Sequence, residues 1–309
     1  MDGQRPEHIP VLAEALLEQL ALPPGGIVVD ATVGLGGHSA RLLEKLGKAG
    51  RLIGLDVDEG NLAVAKERLA AWAGQVVFQR RSFGELRAVL NELGIPGVHA
   101  IVADLGVSSN QLLDPSRGLS FAEDGPLDMR LDDRLPTTAA DLINALPERE
   151  LADLFYFNAQ ERFSRRIAKR ICQERRNARI RRTAELARIV CSAIGVDPHC
   201  RKARIHPATR VFLALRMAVN REIPQLESLL EQAPECLLPP GGGGEGGGRI
   251  AVISFHSVED GTVKRDFRRR EAAGQYCVVT RKPIVPDADE IRRNPRARSA
   301  KLRVAQRAA

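Results

Sequence analysis

No apolar run in this sequence approaches the length of about 20 residues that a bilayer-crossing helix needs. The opening Met-Asp-Gly-Gln-Arg-Pro-Glu-His holds no apolar core of a secretory signal. A cytoplasmic protein without a membrane partner is expected. Aromatic residues make up only 4% of the chain, which argues against an extensive stacking platform for single-stranded nucleic acid. The five cysteines, Cys172, Cys191, Cys200, Cys236 and Cys277, form no C-x-x-C pair. His199, Cys200 and His206 lie near one another without completing a zinc pattern, so reduced thiols and no metal site are expected. Acids are the minority charge: 39 against 46 lysines and arginines, a net charge of +7. That balance points to an anionic partner, nucleic acid first.

What is present is organised around residues 27–38, Ile-Val-Val-Asp-Ala-Thr-Val-Gly-Leu-Gly-Gly-His. An apolar run ends in an acid, and a glycine-rich turn follows. Gly34, Gly36 and Gly37 sit where a buried strand turns into a helix, and glycine permits both positive φ and close approach of backbone N–H groups to a ligand. The helix that starts there aims its positive end at that ligand. The next apolar run, Arg51 to Asp56, also ends in an acid, 20 residues after Gly36. That offset suits a carboxylate that holds a ribose. The third glycine of the dinucleotide fingerprint is replaced by Ser39, and Asp30 and His38 flank the turn. The pattern is closer to an S-adenosylmethionine methyltransferase than to a nicotinamide oxidoreductase.

Strand and helix signals alternate from there. Strands are expected at 27–32, 52–56, 76–79 and 98–104, with helices at 8–20, 38–46, 59–72 and 83–93. Such βα units predict a parallel sheet with right-handed crossovers. The alternation stops after Leu105. Residues from about Thr137 to Arg204 read as wholly helical, with helices at 138–146, 147–158, 161–176 and 183–194. Helices at 207–221 and 223–232 lead to a fifth strand at 249–255, a helix at 258–270 and final strands at 277–280 and 302–305. The glycine run at 240–248 reads as a mobile surface linker without a catalytic role. The expected architecture is α/β, a Rossmann-like sheet with an inserted all-helical domain. Residues 1–110 and 206–309 would form the discontinuous methyltransferase domain, and 111–205 the insertion.

Asp30, Asp56 and Asp104 all end strands on one sheet edge, where open α/β sheets bind ligands. Around and beyond them run Asp104-Leu-Gly-Val-Ser-Ser109, Asp124-Gly-Pro-Leu-Asp-Met-Arg130, Glu161-Arg-Phe163, His206-Pro-Ala-Thr-Arg210, Ser254-Phe-His-Ser-Val-Glu-Asp260 and Asn294-Pro-Arg-Ala-Arg-Ser299. In this order the motifs resemble the bacterial ribosomal RNA small subunit methyltransferase H family, over nearly the whole chain from His8 to about Gln306. The resemblance implies a class I methyltransferase domain with a helical insertion. The implied reaction moves a methyl group from S-adenosylmethionine to the exocyclic N4 of a cytosine in 16S rRNA near the ribosomal P site. It places cofactor contacts at Gly36, Gly37, His38, Asp56, Phe83, Asp104 and Gln111. The chain departs from the family at Asn110, where proline is usual, and in the length of the glycine run.

A cytosine N4 is a weak nucleophile, so an acceptor that polarises the amine and takes its proton late is needed. Asp104, Ser108 and Ser109 are the candidates, and His256 is a second candidate for contacting the base. The target base must be splayed out of folded RNA. Arg162, Arg165, Arg166, Lys169, Arg170, Arg175, Arg176, Arg179, Arg181 and Arg182 crowd one helical stretch, opposed in sequence only by Glu161 and Glu174. Such density predicts salt-dependent phosphate binding. Arg292, Arg293, Arg296 and Arg298 form a second basic patch. The expected partner is 16S rRNA within the small ribosomal subunit. The oligomeric state stays open, a homodimer included. The non-enzymatic alternative is an rRNA-binding or assembly factor, which would need the basic helices but not the strand-end acids.

Overall fold

The computed structural model describes residues 10–197, 206–241 and 246–308. The first nine residues, His199 and Cys200 with their neighbours, and part of the glycine run lie outside the described residues. The chain divides into two compact units: one holds the residues up to Val107 and from Ile223 onward, the other Ser108–Glu222.

The first unit runs α1 (Ala13–Leu20), β1 (Ile27–Asp30), α2 (Gly37–Leu46), β2 (Arg51–Leu55), α3 (Glu59–Arg68), β3 (Val76–Gln79), α4 (Leu86–Glu92) and β4 (Ala100–Asp104). The second contributes α5 (Ser109–Leu113), α6 (Ala139–Ala145), α7 (Glu148–Ala159), α8 (Ser164–Glu174), α9 (Thr183–Ile194) and α10 (Ala208–Val219). α11 (Glu222–Cys236) starts at the boundary, and β5 (Arg249–Ser254), α12 (Ser257–Ala272), β6 (Tyr276–Val278), α13 (Ala288–Arg293) and β7 (Lys301–Arg307) complete the first unit.

The seven strands form one sheet in the order β3-β2-β1-β4-β5-β7-β6. β1 to β5 are parallel, as the alternating signals predict, but β7 lies antiparallel between β5 and β6. A short apolar strand carries no signal of its direction, so this reversal is a finding of the structure. Both sheet faces are covered, which is why the central strands read as unbroken apolar runs. Successive residues serve opposite cores. Val29, Ile53, Ile101 and Val252 pack with α4, α11 and α12 residues such as Val89, Leu230 and Phe267. Val28, Leu52, Val102 and Ala251 pack with Leu16, Leu42 and Leu46 of α1 and α2. The helix expected at 59–72 ends at Arg68 and tightens into a 3-10 turn at Ala70–Trp72, and the one expected at 83–93 opens as a 3-10 turn at Phe83–Glu85.

In the second unit α7 packs on α8 and α10, and α8 on α9. α8 shows why this segment is helical: Ile167, Ala168, Ile171 and Cys172 are buried on one face while the intervening cations face solvent. Thr138 caps α6, its hydroxyl accepting from the Asp141 N–H while the Asp141 carboxylate accepts from the Thr138 N–H.

Candidate active site and basic surface

The parallel strand order reverses between β1 and β4, whose carboxyl ends carry Asp30 and Asp104. This is the switch point at which open α/β sheets form a ligand crevice. Between Asp30 and α2 the chain makes its glycine turn. Gly34 (φ +53) and Gly36 (φ +78) take left-handed backbone conformations that side chains disfavour. Gly54 in β2 is small for another reason: a Cβ there would come within 2.7 Å of Val33 Cγ2, so its absence lets the turn lie on the sheet. The Gly36 N–H is used by the Val33 carbonyl at 2.8 Å. The next N–H groups, of Gly37, His38 and Ser39, open α2 and have no partner inside the helix.

Asp30 is fully buried. Ser39 Oγ donates to its Oδ2 at 2.6 Å, and the Thr32 N–H donates to Oδ1 at 3.2 Å. Burial pushes its carboxyl up from the ordinary range, against the Ser39 bond, the nearby His38 and the Thr32 bond. His38, also buried, turns Nε2 towards Asp104 Oδ2 at 3.4 Å. Burial alone would lower its pKa. The contact with Asp104 and the charges of Asp104, Asp30 and Glu290 outweigh that and raise it. Asp104 is itself anchored, its N–H donating to Thr32 Oγ1 at 2.6 Å. Asp104 Oδ1 and both ring nitrogens of His38 make no hydrogen bond within the protein, Nε2 having only its charge contact with Asp104. Buried polar atoms left so beside a glycine turn are costly unless a ligand meets them.

Asp56 follows β2 and tethers the turn. Its Oδ2 accepts from the Gly34 N–H at 2.9 Å and from Asn61 Nδ2 at 3.2 Å, and its Oδ1 accepts from the Asp58 N–H at 2.8 Å. Burial raises its carboxyl to about 6 in spite of these three donors. A carboxylate offers roughly four acceptor sites, so one is left for a ribose hydroxyl. Phe83 lies after β3 and packs, half-buried, against the core. His256 caps α12: its Nδ1 accepts from the Glu259 N–H at 3.4 Å and its Nε2 faces Glu259 Oε1 at 3.0 Å. Nδ1 is thus engaged within the turn after β5, while Nε2 makes no hydrogen bond within the protein. The first unit thus gathers Gly36, Gly37, His38, Asp56 and Asp104 around the β1–β2–β4 carboxyl edge.

Ser108, Ser109 and Gln111 fall in the second unit. Gln111 is buried, and its Oε1 accepts from the Ser108 N–H at 3.0 Å as half of a capping box on α5. Sequence reasoning passed over this use, although Ser-x-x-Gln is its signature. It also missed Thr32, Ser39, Asp58 and Asn61, the polar residues that orient the three acids.

The basic run splits into two kinds of residue. Arg162, Arg165, Arg166, Lys169 and Arg176 are exposed and make no ion pair among the described residues. Arg170 pairs with Glu174 at 2.8 Å. Arg175 turns inward, Nη1 donating to the carbonyls of Ile143 at 2.7 Å and Leu146 at 2.8 Å, where α6 ends. Arg179 pairs with Asp141 at 2.6 Å, and Arg182 with Asp124 at 2.5 Å. The run is therefore opposed by more acids than its own stretch contains. In the first unit, Arg296 and Arg298 are exposed on a 3-10 turn, Pro295–Ser299.

The profile described as the MraW methylase family matches residues 5–308. The ribosomal RNA small subunit methyltransferase H of Syntrophobacter fumaroxidans is 44% identical over 320 residues, which cover 99% of this chain and 98% of that protein. The protein of the same name from Cyanothece sp. is 48% identical over 300 residues, 97% of this chain and 94% of that one. The one from Sorangium cellulosum is 46% identical over 301 residues, 97% and 91%. Likeness at that level, end to end and on a sheet whose switch point carries a glycine turn and three oriented acids, makes this chain a member of the MraW methylase family, S-adenosylmethionine-dependent methyltransferases.

Proposed function

We propose that this protein methylates the exocyclic N4 of a cytosine in 16S rRNA, near the ribosomal P site, by direct in-line transfer to a splayed-out base. The substrate class follows the names of its relatives, and the base and atom follow the family resemblance. The observation that carries the chemistry is the Asp104 carboxylate at the switch point, with Oδ1 unpartnered and Oδ2 facing His38. S-adenosylmethionine, when bound, supplies an electrophilic methyl group on a sulfonium.

The residues present fit that group. The N–H groups of Gly37 to Ser39 suit its carboxylate, the open acceptor site of Asp56 suits a ribose hydroxyl, and the half-buried Phe83 is the proposed adenine contact. Asp104 Oδ1 accepts a hydrogen bond from the cytosine amine, which raises electron density on N4. Asp104 would take the proton that the methylated amine loses, or pass it on to water. His38 Nε2, facing Asp104 Oδ2, holds that carboxylate in position. Ser108 and Ser109, four and five residues further on, are the other candidate acceptors. The insertion, 111–205, is the proposed rRNA-recognition domain. Arg162, Arg165, Arg166, Lys169, Arg170 and Arg176 on α8 and its end, with Arg296 and Arg298, are the proposed phosphate contacts. Arg175 acts through α6.

The test incubates the full-length protein with tritium-labelled S-adenosylmethionine and small ribosomal subunits from cells lacking the modification, followed by nucleoside analysis. Label in N4-methylcytidine is the expected result. Label in another nucleoside would discard the atom assignment, and cofactor binding without any label in RNA would discard the substrate.

A further inference from the structure

The chain is poor in aromatic residues, with nine phenylalanines, two tyrosines and one tryptophan. Three of these stand exposed within eight positions: Tyr156 at 54%, Phe157 at 67% and Phe163 at 47%. They flank the turn that joins α7 to α8. The neighbouring Phe155 is fully buried, so α7 has an inner face that takes an aromatic ring and an outer face that displays two more. The rings of Tyr156 and Phe157 meet edge to face, centroids 5.4 Å apart.

The turn is built rather than loose. Gln160 ends α7 in the left-handed conformation, its N–H bonded to the Tyr156 carbonyl at 2.8 Å. Glu161 is buried, and its Oε1 accepts from the Phe163 N–H at 2.8 Å, which fixes the backbone that displays Phe163. Burying three such rings would favour folding by about 1.5–3 kcal/mol each, so their exposure has no explanation in stability.

Charge identifies the occupant. Arg162, Arg165, Arg166 and Lys169 follow the turn, all exposed and without an ion pair among the described residues. Of the exposed acids of α7, Glu148 and Glu150 lie in its first turn, at the end away from the rings, and Asp153 is faced by Arg149 at 3.9 Å. An apolar protein partner would have to desolvate four unpaired cations. A partner with flat π-faces and a regularly spaced negative backbone satisfies rings and cations together, and unpaired RNA has both. A duplex does not, because its bases are stacked on one another.

We propose that the α7–α8 turn is a stacking site for one or two unpaired bases of an RNA substrate, with the first turns of α8 holding the flanking phosphates. The inference rests on the rRNA reading and specifies where RNA is gripped outside the reacting base.

The experiment measures binding of the full-length protein to a short unstructured oligoribonucleotide by fluorescence anisotropy over a range of salt. Y156L, F157L and F163L keep apolar bulk and remove the ring. At least one should weaken binding about tenfold, or about 1.4 kcal/mol, with the slope of log affinity against log salt unchanged. R165Q should instead lower that slope by about 0.7. Thermal melting and S-adenosylhomocysteine binding confirm that each variant is folded. Leucine variants that bind RNA like the unaltered protein overturn the stacking site. So does a variant that converts a dimer to a monomer in sedimentation, since the rings would then belong to contacts between copies. Methyl transfer to small subunits is measured in parallel. Transfer with ring-independent binding removes the stacking site alone. Ring-dependent binding without transfer by the unaltered protein keeps the site and removes the small-subunit rRNA substrate.

Discussion

The carboxyl edge of the sheet and the outer face of α7 and α8 handle polar groups in opposite ways. At the edge, almost every polar atom is spoken for. Asp30 is held by Ser39 and Thr32, Asp56 by Gly34, Asp58 and Asn61, and Asp104 by Thr32 and His38. The few unpartnered atoms stand out against that background. On α8 the reverse holds: Arg165, Arg166 and Lys169 face solvent with no ion pair among the described residues. A preorganised site acts through fixed dipoles in a partly dry setting. A solvated cationic face acts through counterion release and tolerates motion. The two regions should therefore respond to different perturbations, chemistry and pH for the first, salt for the second.

The sharpest break is at Asp104. Asp104→Ala removes the proposed acceptor and the partner of His38, and single-turnover methyl transfer should fall about 10²–10⁴-fold, the usual worth of a positioned acid or base. RNA affinity should hold within about twofold. A loss of RNA affinity as large as the loss of rate would merge the two regions.

Asp56 gives the pH test. Its carboxyl is raised to about 6 in the folded protein, above the unfolded value of about 3.9. The folded state thus binds the proton more tightly. The unliganded protein should lose stability as pH rises from about 4 to 6, while S-adenosylhomocysteine affinity should rise over the same range because the ionised form accepts the ribose hydroxyl. Calorimetry below pH 6 should show affinity falling by up to about tenfold per unit, and Asp56→Asn should flatten that dependence. A flat profile in the unaltered protein would mean the hydroxyl does not need the anion.

The smallest effect separates cations that look alike in sequence. Arg175→Ala leaves the Ile143 and Leu146 carbonyls without their charged donor, and should cost about 1.5–3 kcal/mol in chemical denaturation. Arg166→Ala should cost less than about 0.5 kcal/mol and show its effect only in RNA binding. Equal costs would place Arg166 in the scaffold as well.

The edge was legible in sequence because its signals are local. An apolar run, an acid and a glycine turn follow one another within twelve residues, and the spacing to Asp56 repeats a known geometry. The roles of Arg175, Arg179 and Arg182 were not legible. Their partners lie about 30 to 60 positions upstream, at Ile143, Leu146, Asp141 and Asp124, and no periodicity links such pairs. The exposed rings were hidden for a different reason. Phe155, Tyr156 and Phe157 are consecutive, and only the helix phase shows which one turns inward. The direction of β7 was likewise absent, since alternation marks a strand but not its polarity.

That reversed strand also governs when the molecule can be finished. β6 is made before β7, yet among the described strands β6 bonds to the sheet only through it. During synthesis the edge of β5 and the whole of β6 must wait, unpaired, until the seven residues of β7 have been made and slide in between. A chain stopped just before Lys301 would lose β6 from the sheet along with β7, and β5 would keep only β4 as a partner. It would also leave Ile250 and Val252 on an open edge, the kind of surface from which nascent chains aggregate.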